Sequence, residues 1–400
     1  MRRASHTTAG LALLIVGLTL AVEPGRAHKP ITSPFTYSDD VFPILRDKCA
    51  RCHVQDGVAP MSLMTYEDTV PWGESIRVEL LAGHMPPWSV DAAPARFRNA
   101  QNLSAREMNV LLTWATGGTP FGDPAKTPAP VVHERKWALG TPDLELPLAN
   151  EFTLAADKQE EIAEFIVPTR FSDPRWLRAV DLLPGTPAVV RSATVGIRSP
   201  ASAERAASGD PDPVLALWLP GDDPIPVEDR AAFEVAAGAE LLVRVRYKKT
   251  WQYERKELKD RSTVGLYFAK DASRPVRAIA LTHDGPALQV NGSRRQFSEP
   301  LADSVRALAI YPSDHPANAG IVVTAVGPDG SRRELIAFHP QRDWARRYWF
   351  KEPISLERGT RLETTVSFDD ETPALPLSQQ PTSAPEPAAV RLTLNVVSEK

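Results

Sequence analysis

Sulfur is scarce in this 400-residue chain: there are two cysteines and five methionines, and no methionine follows Met108. Cys49 and Cys52 stand too close together to staple a chain of this length, so a disulfide framework is excluded and the pair reads as a local chemical motif. Long apolar runs are missing too. The longest, residues 9–22, falls short of the roughly 20 residues that a membrane-spanning helix needs. Nor is there an excess of one charge: 46 Lys and Arg face 50 Asp and Glu, and the net charge of −4 offers nucleic acid no basic field. With 24% charged and 42% apolar residues, a wholly disordered chain is also excluded. The abundant residue is proline, 38 in number. That is near twice the usual share of about 5%, and it favours loops, edges and linkers around sheets over long helices.

The length allows two or three domains at about 100–200 residues each. Met1-Arg2-Arg3, the apolar run and the small residues of Gly25-Arg26-Ala27 make residues 1–27 a secretory signal peptide. The mature protein is then periplasmic or secreted and has no transmembrane span; an uncleaved anchor is the alternative. A cut after Ala27 makes His28 the new terminus, where an α-amine and an imidazole together suit copper.

Residues 38–118 carry helix signals. Ser38-Asp39-Asp40 opens one helix and residues 72–81 suggest another. Ser104-Ala105-Arg106-Glu107 is a capping box before an apolar stretch to Trp114, which Gly117-Gly118 ends. Residues 119–148, with Pro120, Pro124, Pro128 and Pro130, read as a proline-rich linker. Alternating, β-branched runs follow at 189–197, 241–247, 263–268, 276–281, 321–326, 334–338 and 362–368, and a last one at 390–397 follows a second proline-rich stretch. Such spacing suits sandwiches. The expected fold is multidomain, a small all-α domain at 28–118 followed by antiparallel β-sandwiches at 149–272 and 273–400.

Cys49-Ala50-Arg51-Cys52-His53 is C-x-x-C-H, the attachment signature of a covalent haem c: both thiols form thioethers to the porphyrin, and the imidazole of His53 ligates the iron. A zinc half-site would need further ligands, and a redox dithiol would want a βαβ context; neither is present. The sixth iron ligand comes from Met61, Met64, His84 or Met85. A thioether favours reduced iron and raises the potential, whereas a second histidine lowers it. Gly83-His84-Met85-Pro86-Pro87-Trp88, ahead of the capped helix, resembles the Met-Pro loop before the last helix of class I cytochromes c. That favours Met85. Met61 and Met64, like Trp72, Trp88 and Trp114, read as residues packed against the porphyrin, and His84 as a propionate partner or an exposed side chain.

Beyond the linker, Trp176 and Pro184-Gly185 within residues 169–185 stand in a stretch that resembles the first copper domain of the type II, ascorbate-dependent copper monooxygenases, the peptidylglycine and dopamine monooxygenase-like proteins. Bacterial members that carry a cytochrome c module resemble it most. Leu217-Trp218-Leu219-Pro220-Gly221, the segment from Gly238, Asp260 to Gly265, Tyr311-Pro312, Gly327 to Gly330 and Lys351 to Thr360 continue the resemblance in order. It implies that the all-α part is a cytochrome c domain and that the two sandwiches are jelly rolls with a cleft between them.

The resemblance also implies two copper ions, one on three histidines and one on two histidines and a methionine. Here the sequence departs. Arg191-Ser192 stands where the family has a His-His pair, Arg244 and Arg246 where it has His-x-His, and Ser313-Asp314-His315 keeps one histidine of a Pro-His-x-His element. A guanidinium cannot donate a lone pair and repels Cu²⁺, so copper is not expected. His133, His283, His315 and His339 are isolated. The three arginines read as paired with acids on a solvated sheet face, or else as an anion site in the cleft.

The expected function is electron transfer by an exported mono-haem cytochrome, docked by a redox partner protein. Its degenerate copper-monooxygenase-like body serves docking, or binds a small molecule or anion in the inter-sandwich cleft. The alternatives are a haem-coupled copper monooxygenase and a redox-sensing accessory subunit of a respiratory complex.

Overall fold

The computed structural model of the chain describes residues 32–399 apart from 89, 91–95, 99, 127, 130, 132–135, 200–201, 203–212, 229, 284–293, 316–318, 342–343 and 369–389. The signal peptide, His28 and His133 lie outside the described residues.

A π-helical turn (Tyr37–Val41) leads into α1 (Phe42–Lys48). Ser38 does not cap it; the chain enters through extended Thr36, whose N–H donates to the Asp40 carboxylate at 2.9 Å. Helices α2 (Tyr66–Thr69), α3 (Gly73–Leu81) and α4 (Ala105–Thr116) follow. The expected capping box opens α4: Ser104 N–H donates to Glu107 Oε2 at 2.7 Å and Glu107 N–H to Ser104 Oγ at 3.2 Å. Val110, Leu111 and Trp114, spaced for one helix face, are buried. Trp114 is fully enclosed, and its indole N–H donates to the Pro120 carbonyl at 3.1 Å. Beside it Tyr37 packs on Tyr66 and Phe42, with ring centroids 5.4 and 5.8 Å apart.

The first group of strands is β1 (Leu144–Pro147), β2 (Phe152–Leu154), β3 (Glu160–Pro168), β4 (Arg175–Leu183), β5 (Val190–Arg198) and β6 (Ala216–Trp218), continued by β7 (Ala231–Val235), β8 (Glu240–Lys248), β9 (Leu258–Asp260), β10 (Thr263–Phe268) and β11 (Arg274–Pro275). They form sheets ordered β1-β10-β4-β7-β11 and β3-β8-β5-β6 around one apolar core, with β2-β9 as a separate pair. The second group is β12 (Arg277–His283), β13 (Arg294–Pro300), β14 (Val305–Asp314), β15 (Ala319–Val326), β16 (Arg332–Phe338), β17 (Tyr348–Leu356), β18 (Arg361–Phe368) and β19 (Val390–Ser398). Its sheets, β12-β19-β14-β17 and β13-β18-β15-β16, share another core.

Alternation places the side chains. In β8, Leu241, Val243, Val245 and Tyr247 are fully buried, while Arg244 and Arg246 lie on the other face against β3. There Arg244 Nε donates to Glu164 at 2.8 Å and Arg246 Nε to Glu160 at 2.5 Å. One buried carboxylate is an exception to the apolar core: Asp260 accepts from Thr186 N–H at 2.7 Å, Ser262 Oγ at 2.8 Å, and Ser262 N–H and Tyr247 Oη at 3.1 Å.

The expected architecture, a small all-α cytochrome c domain ahead of two antiparallel jelly-roll sandwiches, is corrected by these observations. The described chain is mostly strand, and its α-helical segments are short, of 7, 4, 9 and 12 residues. The helical part is not closed on itself. Trp88, Val90 and Phe97 leave it and enter the core of the second sheet pair, where Val90 bridges Phe338 and Phe97 bridges Phe350. Tyr348 stands edge-on to Trp88 and Phe97, with centroids 5.5 and 5.8 Å away. Burying such a ring stabilises by about 1.5–3 kcal/mol. The first sheet group is not purely antiparallel either, since β11 pairs parallel with β7. Within the expected linker, residues 144–147 form β1 on the edge of β10.

Candidate cofactor site

The C-x-x-C-H segment begins where α1 ends. Cys49 is its C-cap, with its N–H on Leu45 O at 2.8 Å, and one further turn is closed by Cys52 N–H and His53 N–H, both on Cys49 O, at 3.1 and 2.9 Å. That turn gathers both thiols and the imidazole. The loop then folds back: Ala59 N–H donates to Cys52 O at 3.2 Å and Leu63 N–H to His53 O at 3.0 Å. Gly57 permits this approach, since a Cβ there would stand 2.5 Å from Cys52 O.

His53 Nδ1 donates to the Met61 carbonyl at 3.2 Å, which fixes the tautomer with the Nε2 lone pair unprotonated. Burial pushes the His53 pKa down, so the ring is neutral. It pushes both thiols the other way, Cys49 and Cys52 each up to about 12. Both cysteines are free and protonated at neutral pH.

All three residues line a cleft enclosing about 1090 Å³, part of it open to solvent. Met85 lines it as well. After α3 the chain turns through Gly83 at φ +69°, and the N–H groups of His84 and Met85 reach back to Glu79 O at 3.0 and 3.4 Å. The turn separates the two neighbours: Met85 enters the cleft, while the 63% exposed His84 side chain meets Glu79 Oε2 at 3.0 Å. Met61 also lines the cleft, whereas Met64 is buried in the helical core outside it.

Part of the cleft comes from the strand-rich body, which the sequence did not disclose. Pro220, Gly221 and Arg191 line it from the first sheet group, and Trp344 from the segment before β17. The haem-type motif sits directly on that wall. Arg51 Nη1 donates to Gly221 O at 2.9 Å and approaches Asp223 Oδ2 at 2.7 Å, and Cys52 Sγ lies 3.5 Å from Pro220 O. Gly221 has φ +79°, and a Cβ on it would stand 2.8 Å from Arg51 Cβ and 3.3 Å from Cys52 Sγ. Arg191 Nη1 donates to Val58 O at 3.2 Å. The only sequence signals were the quoted Pro220-Gly221 and the replacement of histidine by Arg191.

The other singled-out residues do not converge. Arg244 and Arg246 stay on the β3–β8 face, His283 belongs to β12, and His315 is buried after β14. Ser313 Oγ lies 2.9 Å from Thr393 Oγ1, and His339 lies beside Gly320. Among the described residues no three His, Cys, Asp or Glu side chains cluster as ligands of one ion.

No protein-family model matches the chain, and no curated protein matches it. Among solved structures it is similar to the major capsid protein P2 of bacteriophage PM2, at 9% identity over 64% of this chain and 97% of that one, with a TM-score of 0.28. It is similar to a Penaeus vannamei nodavirus T=1 structure at 11% identity over 63% of this chain and 90% of that one, TM-score 0.18. For a Paenibacillus xanthan lyase the figures are 9%, 70% and 28%, TM-score 0.18. At these scores the likeness carries no argument about function.

Proposed function

We propose that the chain is an exported electron-transfer protein that carries one covalent haem c on Cys49 and Cys52, with His53 and Met85 as the axial iron ligands. The observation that carries the reading is that Met85, 32 residues beyond the C-x-x-C-H segment, lines the same largely apolar cleft as Cys49, Cys52 and His53. Their chemistry suits the group. The two free thiols would hold the group through thioether bonds. A neutral imidazole held through Nδ1 presents Nε2 to iron, and a thioether is a weak donor that favours the reduced metal. When bound, the haem supplies one-electron chemistry.

The chain's own residues do the rest. Leu45, Leu80, Leu103 and Leu111 give the cleft an apolar lining, and Arg51 anchors the motif to the body through Gly221 and Asp223. The sheets then act as a platform for the redox partner protein. The reading places the mature chain in the periplasm or outside the cell, with cleavage after Ala27. No described helix is long and apolar enough to cross a membrane.

The test is the mature protein's mass and metal content after growth with ample copper. One haem that survives denaturation and one iron per chain, without copper, is the expected result. Absence of iron, or a pigment lost on unfolding, overturns the reading, and stoichiometric copper reinstates a copper enzyme.

A further inference from the structure

A second cavity, of about 470 Å³ including its open mouth, lies between the two sheet groups and is lined by Asp222, Asp223, Arg346, Arg347 and apolar residues including Phe233 and Trp349. Arg346 is 3% exposed. Its Nη2 donates to Asp222 Oδ1 at 2.9 Å, and its guanidinium carbon lies 5.5 Å from the Trp88 ring centroid. Nε and Nη1 are buried and meet no acceptor among the described residues. A guanidinium keeps its charge and its five donors at every working pH, and a buried donor left unmatched is costly.

Arg347 is buried in the same wall. Its Nη1 donates to Leu215 O at 3.1 Å, and the group lies over Phe233, Tyr311 and Trp349 at 5.5, 5.0 and 5.4 Å from their centroids. Of the two carboxylates, Asp222 is shared between Arg346 and Gln101 Nε2, the latter at 2.8 Å. Asp223 is 56% exposed and turned to Arg51. The interior therefore faces two guanidinium groups and one carboxylate.

We infer that this cavity binds a small monovalent anion of acceptor-only chemistry, such as nitrate, formate or a halide, on Nε and Nη1 of Arg346 and in the field of Arg347. These arginines are not the ones that the sequence singled out. The inference does not rest on the haem reading, because no haem-cleft ligand takes part. The unmatched groups of Arg346 are donors, so the ligand they call for is an acceptor.

The full chain is titrated with sodium nitrate at constant ionic strength while its thermal midpoint is followed. A saturable rise is expected, since a ligand that binds only the folded state stabilises it as its concentration passes Kd. Arg346→Gln removes the saturable part. Asp222→Asn releases Nη2 from its carboxylate and tightens nitrate binding about tenfold, the scale of one charge-assisted hydrogen bond. A rise that never saturates, or one equal in wild type and Arg346→Gln, overturns the inference, as does an unchanged or weakened nitrate Kd in Asp222→Asn. The Asp222→Asn arm decides the matter if Arg346→Gln does not fold.

Discussion

The seating of the C-x-x-C-H segment on the strand-rich body makes Gly221 the position to perturb. A side chain held at positive φ costs about 1–2 kcal/mol. Gly238, at φ +70° with nothing within 4 Å of an added Cβ, isolates that backbone cost. Gly221, at φ +79°, adds contacts of 2.8 Å to Arg51 Cβ and 3.3 Å to Cys52 Sγ, and overpacking of this kind costs a further ~1–3 kcal/mol. The expected losses are thus about 1–2 kcal/mol for Gly238→Ala and about 2–5 kcal/mol for Gly221→Ala. Urea unfolding of both variants beside the wild type measures the difference. Hydrogen exchange locates it: amides of the Cys49 to Gly57 stretch should lose protection only in Gly221→Ala. Equal losses in the two variants, with exchange unchanged at the motif, would refute the claim that the motif is clamped against this loop.

Three further outcomes are expected. Met85→Ala should open the iron to an added ligand such as imidazole and lower the reduction potential; a visible spectrum identical to wild type, with no ligand uptake, would remove Met85 from the iron. Asp260→Ala strips a buried acceptor from Tyr247, Thr186 and Ser262 and should cost about 3 kcal/mol or more in chemical denaturation, whereas a loss under 1 kcal/mol would make the cluster ornamental. Burial pushes Asp181 up to about 6, against an ordinary 3.8. The folded chain then holds more protons between these pH values, so the Asp181 contribution to stability falls as pH rises through that window. Asp181→Asn should remove at most about 3 kcal/mol of the stability change across that window, and an unaltered pH profile in that variant would contradict the shift.

Local chemistry was legible in the sequence, and distant contacts were not. The C-x-x-C-H spacing and the Ser104 to Glu107 box are written in neighbouring residues, and the β-branched runs at 241–247 and 263–268 coincide with β8 and β10 within a residue at each end. Strand β3 escaped notice because its outward positions, Glu160 and Glu164, interrupt the apolar pattern to pair across to β8. Met85 could be singled out beside His84 by the loop around it, but what separates the two is the turn that hands His84 to Glu79. Nothing local announces Pro220, Gly221 or Trp344 as walls of the same cleft. Nor does anything local announce Arg346, whose partner Asp222 is 124 residues away. The all-α domain fails for a similar reason, since nothing local shows that Trp88 and Phe97 find their place in a core built from the end of the chain.

That last arrangement orders events in time as well as space. Arg96 bonds to Glu334 across a separation of 238 residues, and Trp88, Val90 and Phe97 sit among side chains that emerge correspondingly late. Contacts of such range close slowly. Until the strands that carry those side chains are in place, Trp88, Val90 and Phe97 lack the core they occupy in the folded chain. Only the arrival of β16 and β17 gives Trp88, Val90 and Phe97 a core to enter, so this stretch of the chain reaches its final place after these late strands have formed.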